Sequence, residues 1–266
     1  MTVAVGSCTS VGRVRTTNQD WLGAFGLPAD ARAKGQLFIL ADGMGGEAGG
    51  EVASRLAVDV ASKAYFEDPS DDPVESLERS LMAANQAIHA QAATAEELRR
   101  MGTTCTALVL RDSRGWIAHV GDSRAYQLRN GCTKRLTSDH SLAERGAAYA
   151  HILTRALGIQ PEVAIDIVTV PPPLRPGDVF LLCSDGLWGQ LRDADMAEIV
   201  ASEPDLETAS RRMVELANAR GGPDNISVIL VRVDSVGPRS WGQLVVHAIR
   251  RAWSAWKRHG AAPGAR

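Results

Sequence analysis

Three apolar runs in this 266-residue chain stop on the same residue type: "FILAD" ends at Asp42, "WIAHVGD" at Asp122 and "FLLCSD" at Asp185. Short apolar runs bounded by turn residues read as strands. A fourth carboxylate, Asp224 in "GGPDN", stands immediately before the run "NISVILVRV". Strand ends hold side chains in fixed relation while the loops beside them stay open to ligand, so the four aspartates are candidates to converge. Each alone reads more readily as a turn former, a role that aspartate takes commonly. Together they make a stronger case, since converging carboxylates repel at neutral pH and must take up protons or bind cations.

An all-oxygen donor set selects hard ions, so Mg²⁺ or Mn²⁺ is expected and zinc is not. The cysteines Cys8, Cys105, Cys132 and Cys183 are too scattered to form a zinc cluster or a disulfide framework, and they read as reduced thiols in a cytoplasmic protein. Glycines crowd the first aspartate in "ADGMGGEAGG". At Gly43 the missing Cβ is expected to let the backbone carbonyl approach a metal.

Between the strands lie two candidate helix pairs. Val52, Leu56, Val60 and Ala64 recur at near-helical spacing, as do Leu77, Leu81, Ala84 and Ile88, across the acidic turn "FEDPSDDP". A second pair is expected over roughly 193–219, and a short helix within 138–157. "TTCTALVL", "GWIAHVGD", "RAYQLRN" and a return after Asn130-Gly131 read as one antiparallel meander. Segregated strand runs and helix pairs favour an α+β fold over alternating βαβ units.

With 45% hydrophobic and 23% charged residues the chain is an ordinary globular protein, long enough for one large domain or two small ones. A boundary is expected near Ser235 to Pro238, giving a domain over 1–236 and a tail over 237–266. Residues 235–266 carry six Lys and Arg and no Asp or Glu; taking these from the net −2 leaves −8 on the first 234 residues. An acidic body argues against nucleic acid as a ligand. The N-terminus lacks the pattern of a signal peptide and no membrane span is expected. Trp241, Leu244, Val245, Ile249, Ala252, Trp253 and Trp256 share one face of a helix whose other side is cationic, suited to a membrane surface, a partner groove or packing on the body.

"VRTTNQD", "ADGMGGEAGGEVAS", "GTT", "VGDSRAY", "TSDHS", "RALG", "LLCSDGLW" and "GGPDNISVI" follow one another in an order that resembles the PPM (type-2C) family of metal-dependent protein phosphatases, its bacterial members especially, over about residues 7–233. The resemblance implies a four-layer α-β-β-α sandwich of two antiparallel sheets flanked by helix pairs. It implies a phosphoserine and phosphothreonine phosphatase, monomeric, acting on a Ser/Thr kinase or its targets through a water activated by two metal ions. By this likeness Asp42 bridges the two ions, the Gly43 carbonyl ligates one, Asp185 and Asp224 ligate the other, and Asp20 holds a water. Arg15 grips the substrate phosphate, where the residue would otherwise read as a solvated surface arginine. A third ion would fall to Asp122 with Asp185.

The pattern is incomplete. Gly189 stands where many members carry a further aspartate, and Met44 where some animal members carry a histidine. The segment between "SDHS" and "RALG" is short, and His140 and His151 within it read as surface or capping residues. Two rivals stand beside the phosphatase reading. One is a catalytically silent member that binds phosphoproteins; the other takes "GMGGEA" as a dinucleotide-binding turn, which requires a parallel strand after the helix.

Overall fold

Strands without a polar face need cover on both sides, and three separate apolar clusters provide it. The computed structural model describes residues 1–26, 34–45, 49–142 and 152–236. The elements run β1 (Thr2–Ser10), β2 (Asp20–Phe25), β3 (Gln36–Met44), α1 (Gly49–Glu67), α2 (Pro73–Ala92), β4 (Gly102–Thr103), β5 (Cys105–Arg111), β6 (Arg114–Val120), β7 (Arg124–Arg129) and β8 (Cys132–Arg135). They continue with β9 (Asp166–Thr169), β10 (Val179–Cys183), α3 (Asp185–Trp188), α4 (Asp193–Ser202), α5 (Leu206–Ala219) and β11 (Ile226–Ser235).

One sheet orders its strands β1-β11-β10-β7-β8 and the other β2-β3-β5-β6-β9, with β4 added beside β3. Side chains alternate between layers along each strand. On β3, Leu37, Ile39 and Ala41 enter the cluster under α1 and α2, whereas Phe38 and Leu40 enter the cluster between the sheets. On β10, Leu181 and Cys183 pack toward α3 to α5 while Phe180 and Leu182 meet the other sheet. The result is the expected α+β sandwich of four layers.

All the strand pairs described are antiparallel. The chain runs from β3 through α1 into α2, and the parallel strand that a dinucleotide-binding unit needs does not follow.

Local chemistry explains the helix boundaries. Asp72 caps α2 by accepting from the Val74 amide at 2.9 Å, with Pro73 in the first turn. The expected face Leu77, Leu81, Ala84 and Ile88 is fully buried. On α1 the expected stripe is displaced by one residue: Ala53, Ala57, Ala61 and Tyr65 are buried, while Leu56 and Val60 lie at the margin of the cluster and Val52 is exposed. Small residues let this helix sit close to the sheet, so the wider aliphatics are left at its flank.

Two other expectations are corrected. The meander is two hairpins in different sheets: β5 pairs β6 in one and β7 pairs β8 in the other, and the chain crosses between sheets at residues 121–123. Asn130 and Gly131 join β7 to β8 with φ of 53° and 75°, the positive pair that a tight hairpin turn requires. The short helix expected within 138–157 is absent from its described part, where Ser141 and Leu153 form an isolated bridge. His151 and the tail residues 237–266 lie outside the described residues. The first 236 residues form one compact unit, Met1–Val236. Among the described residues no helix is long and apolar enough to cross a membrane.

Candidate active site

Alternation along β3 puts Asp42 on the same face as Phe38 and Leu40, so its carboxylate points between the two sheets at the end of their shared core. Asp20 pairs with Asp42 in register across β2 and β3 and faces the same way. Asp185, the first residue of α3 after β10, and Asp224, two residues before β11, come from the opposite sheet. Asp122 lies in the crossing between sheets. A cavity of ≈ 530 Å³ is lined by Asp42, Asp122, Asp185 and Asp224 together with Arg15, Gly43, Met44 and Thr104. The structure thus gathers the four strand-end carboxylates, with Asp20 buried behind Asp42.

The carboxylates disturb one another. Burial, opposed by hydrogen bonds from Ser227 and Ser184 and reinforced by Asp185 and Asp224, holds the Asp20 carboxyl up at about 7. Burial and then the Asp185 charge push Asp122 to about 7, and burial with Asp224 pushes Asp185 to about 6. Asp42 is raised well above the usual carboxylate range by burial and by Asp20, Asp185, Asp122 and Asp224. It is densely surrounded by protein yet open to solvent through the cavity, so repulsion from its neighbours matters beside burial. Asp42 and Asp185 approach within hydrogen-bonding reach of each other, which two carboxyls sustain only with a proton or a cation between them.

Divalent cations fit this donor set. Every charged ligand is an oxygen, the charges repel without a counter-ion, and Asp20 Oδ1 is buried without a hydrogen-bond partner. Among the described residues no three His, Cys, Asp or Glu side chains close on one point. Each ion would therefore take one or two carboxylates and complete its shell with water, as Mg²⁺ does.

Residues that carry no charge hold the aspartates in place. The Asp42 amide donates to Thr104 Oγ1 at 3.0 Å, and its carbonyl accepts from Thr103 Oγ1 and the Thr104 amide, both at 2.9 Å. Ser184 Oγ donates to Asp20 Oδ2 at 2.8 Å, tying one sheet to the other directly before Asp185. Asn225 is buried; its Oδ1 accepts from the Gln19 amide at 2.8 Å and its Nδ2 donates to the Val11 and Thr17 carbonyls at 2.9 Å, latching the loop of Arg15 beside Asp224. These partners lie inside the motifs "GTT", "SDG" and "PDN", but a single sequence assigns them no task.

Arg15 Nη2 donates to Asp224 Oδ2 at 2.8 Å, and this bond first, then the charge of Asp224, raises the guanidinium pKa further. Gly43 also has a steric need for its missing side chain: a Cβ there would stand 2.0 Å from the Gly50 carbonyl oxygen and 2.7 Å from that of Gln19. The glycine admits α1 and the Gln19 backbone, just before β2, against β3. Gly189 caps α3 in an ordinary helical conformation, exposed. Met44 lines the cavity, half-buried. His140 is not a surface residue: it is buried, with Nε2 3.0 Å from Asp166 Oδ2 and Nδ1 accepting from the Gly121 amide at 3.1 Å.

The family model described as protein phosphatase 2C matches residues 9–230. The chain belongs to the protein phosphatase 2C family. The serine/threonine phosphatase Stp of Listeria innocua is similar at 37% identity over 240 residues, spanning 84% of this chain and 93% of Stp. The catalytic domain of the serine/threonine phosphatase PstP, solved with two manganese ions, matches at 34% identity and a TM-score of 0.74, over 88% of this chain and 99% of that one. PppA of Pseudomonas aeruginosa, described as a regulatory component of a type VI secretion system, matches at 32% identity and a TM-score of 0.74, over 86% and 97%. This member of the family is a metal-dependent protein serine/threonine phosphatase.

Proposed function

We propose that the cavity hydrolyses phosphoserine and phosphothreonine in proteins by direct attack of water, reversing the action of a Ser/Thr kinase. Asp42, Asp185 and Asp224 would hold two divalent cations, with the Gly43 carbonyl on one of them and Asp20 steadying a water. Carboxylates from both sheets converging on one cavity with Arg15 at its side carry this reading. When bound, Mn²⁺ or Mg²⁺ supplies Lewis acidity, lowering the pKa of a water ligand and offsetting charge on the phosphoryl oxygens.

The remaining work falls to the chain. One Asp20 oxygen is fixed by Ser184 and the other is left to accept a proton or a hydrogen bond from water. Arg15 gives one nitrogen to Asp224, and its planar fork keeps further donors for phosphoryl oxygens. That pairing would seat the phosphate beside Asp224. Neither cysteine nor histidine is among the described residues lining the cavity, so a phosphocysteine or phosphohistidine has no carrier there. Asp122 and Asp185 together would form the site of a third ion.

The phosphatase unit would comprise residues 1–236, with the basic tail over 237–266 contacting a membrane surface or a partner groove. A silent, phosphoprotein-binding role is disfavoured because Arg15, Asp42, Asp185 and Asp224 are all present. The test is hydrolysis of p-nitrophenyl phosphate and a phosphothreonine peptide with Mn²⁺ or EDTA, for wild type and Asp42→Ala. Activity only in wild type with metal is expected; activity surviving both EDTA and the substitution overturns the mechanism.

A further inference from the structure

Asp122 faces the cavity from a stretch of backbone that belongs to neither sheet. β6 ends at Val120 and β7 begins at Arg124 in the other sheet, so residues 121–123 lack ladder partners. Buried backbone groups need hydrogen bonds from somewhere. Here His140 and Trp188 supply them. The Gly121 amide donates to His140 Nδ1 at 3.1 Å, and the His140 amide donates to the Gly121 carbonyl at 2.7 Å. The Trp188 indole Nε1 donates to the Asp122 carbonyl at 3.0 Å.

Both rings are themselves held. An acceptor role for Nδ1 leaves the His140 proton on Nε2, which faces Asp166 Oδ2 at 3.0 Å, and Arg155 holds the other Asp166 oxygen at 2.7 Å. The Arg124 guanidinium lies 3.5 Å from the centroid of the Trp188 ring, and its fork grips Asp139, the neighbour of His140, at 3.1 and 2.7 Å. Arg124 therefore links the two halves of the grip.

We propose that His140 and Trp188 are positioning residues for Asp122: by clamping the Gly121–Asp122 backbone from two sides, they preset its carboxylate for a divalent cation. This rests on the reading of Asp122 as a metal-facing carboxylate. Residues that orient a ligand without touching the metal are worth about 10- to 100-fold in metal affinity.

The test is calorimetric titration of Mn²⁺ into the full chain, as wild type, Trp188→Phe, Asp122→Ala and the double variant. Phenylalanine keeps an aromatic ring for Arg124 and removes the N–H together with part of the indole. Trp188→Phe should weaken Mn²⁺ binding about tenfold or more when Asp122 is present, and change nothing when it is absent. An equal effect in both backgrounds, including none in either, overturns the proposal. His140→Asn, whose side-chain oxygen can accept from the Gly121 amide, should bind Mn²⁺ more nearly like wild type than His140→Leu; equal losses count against the clamp. If Asp122→Ala itself leaves the titration unchanged, the reading of Asp122 has failed. That result is distinct from a failure of the clamp, in which Asp122→Ala weakens binding and Trp188→Phe does not.

Discussion

Asp20 and Asp42 stand directly opposite each other on neighbouring strands, both facing the gap between the sheets. Like charges opposite each other in a ladder destabilise it. The pair is therefore a cost to folding that a cation can offset. Replacing Asp20 with Asn should raise the stability of the chain in EDTA, by roughly 1–3 kcal/mol for a carboxyl held at about 7, while weakening Mn²⁺ binding. Chemical denaturation with and without Mn²⁺ measures both. A variant less stable in EDTA and unchanged in metal affinity would place Asp20 outside the metal site.

The same carboxyls set a pH dependence. Asp20 and Asp122 at about 7 and Asp185 at about 6 lie above the value of 3.8 for a free side chain, so the folded state binds more protons than the unfolded between those limits. Stability in EDTA should fall as pH rises from about 5 toward 8. Mn²⁺ replaces the protons, so the rise in melting temperature on adding Mn²⁺ should be largest at pH 8 and shrink toward pH 5.

His119 acts in the opposite direction. Burial first, then the neighbouring His140, lower it to about 4 from 6.5, and its ring is held by Thr106 and the Ser138 carbonyl. The unfolded chain binds a proton that the folded chain refuses across this window. Stability from this group is fully present above pH 6.5 and is lost as pH falls toward 4, by up to ~3 kcal/mol. Comparing His119→Gln with wild type in EDTA should show the variant losing less stability over that range.

Glycine substitutions separate space from conformation. Gly43→Ala would drive a Cβ to 2.0 Å from the Gly50 carbonyl oxygen, backbone against backbone. We expect a loss of about 3 kcal/mol or more and loss of activity. At Gly189 the φ is −68° and the nearest contact of a Cβ is the Asp185 carbonyl oxygen at 2.9 Å. Gly189→Asp needs a small backbone shift away from that oxygen and should lower the melting temperature less than Gly43→Ala does.

Arg15→Ala should lower kcat/KM for a phosphopeptide by roughly ten- to a hundredfold, the worth of one charged hydrogen-bonding partner. Arg15→Lys should recover only part of it, since a single ammonium cannot span two oxygens as the fork does. Steady-state kinetics at saturating Mn²⁺ measure both.

The apolar runs ending at Asp42, Asp122 and Asp185 announced the strands, and their carboxylates pointed to a shared site only as a set, since each alone reads as a turn former. The helix face on α2 was equally legible, since Leu77, Leu81, Ala84 and Ile88 carry the bulk on one side. On α1, alanines made the buried face, and a search for large residues picks the neighbouring stripe. The separation of β5–β6 from β7–β8 was hidden because consecutive strands in sequence look the same whether they share a sheet or cross to another. Thr104, Ser184, Asn225, His140 and Trp188 escaped assignment for a related reason: each acts through a backbone or carboxylate partner distant in sequence.

On the proposed mechanism, carboxylates of both sheets share divalent cations in one cavity. Its most direct test is an anomalous difference map from crystals grown with Mn²⁺. Peaks are expected within ligand distance, about 2.0–2.6 Å, of oxygens of Asp42, Asp185 and Asp224. Manganese found only away from these residues, in crystals of an active enzyme, would contradict it.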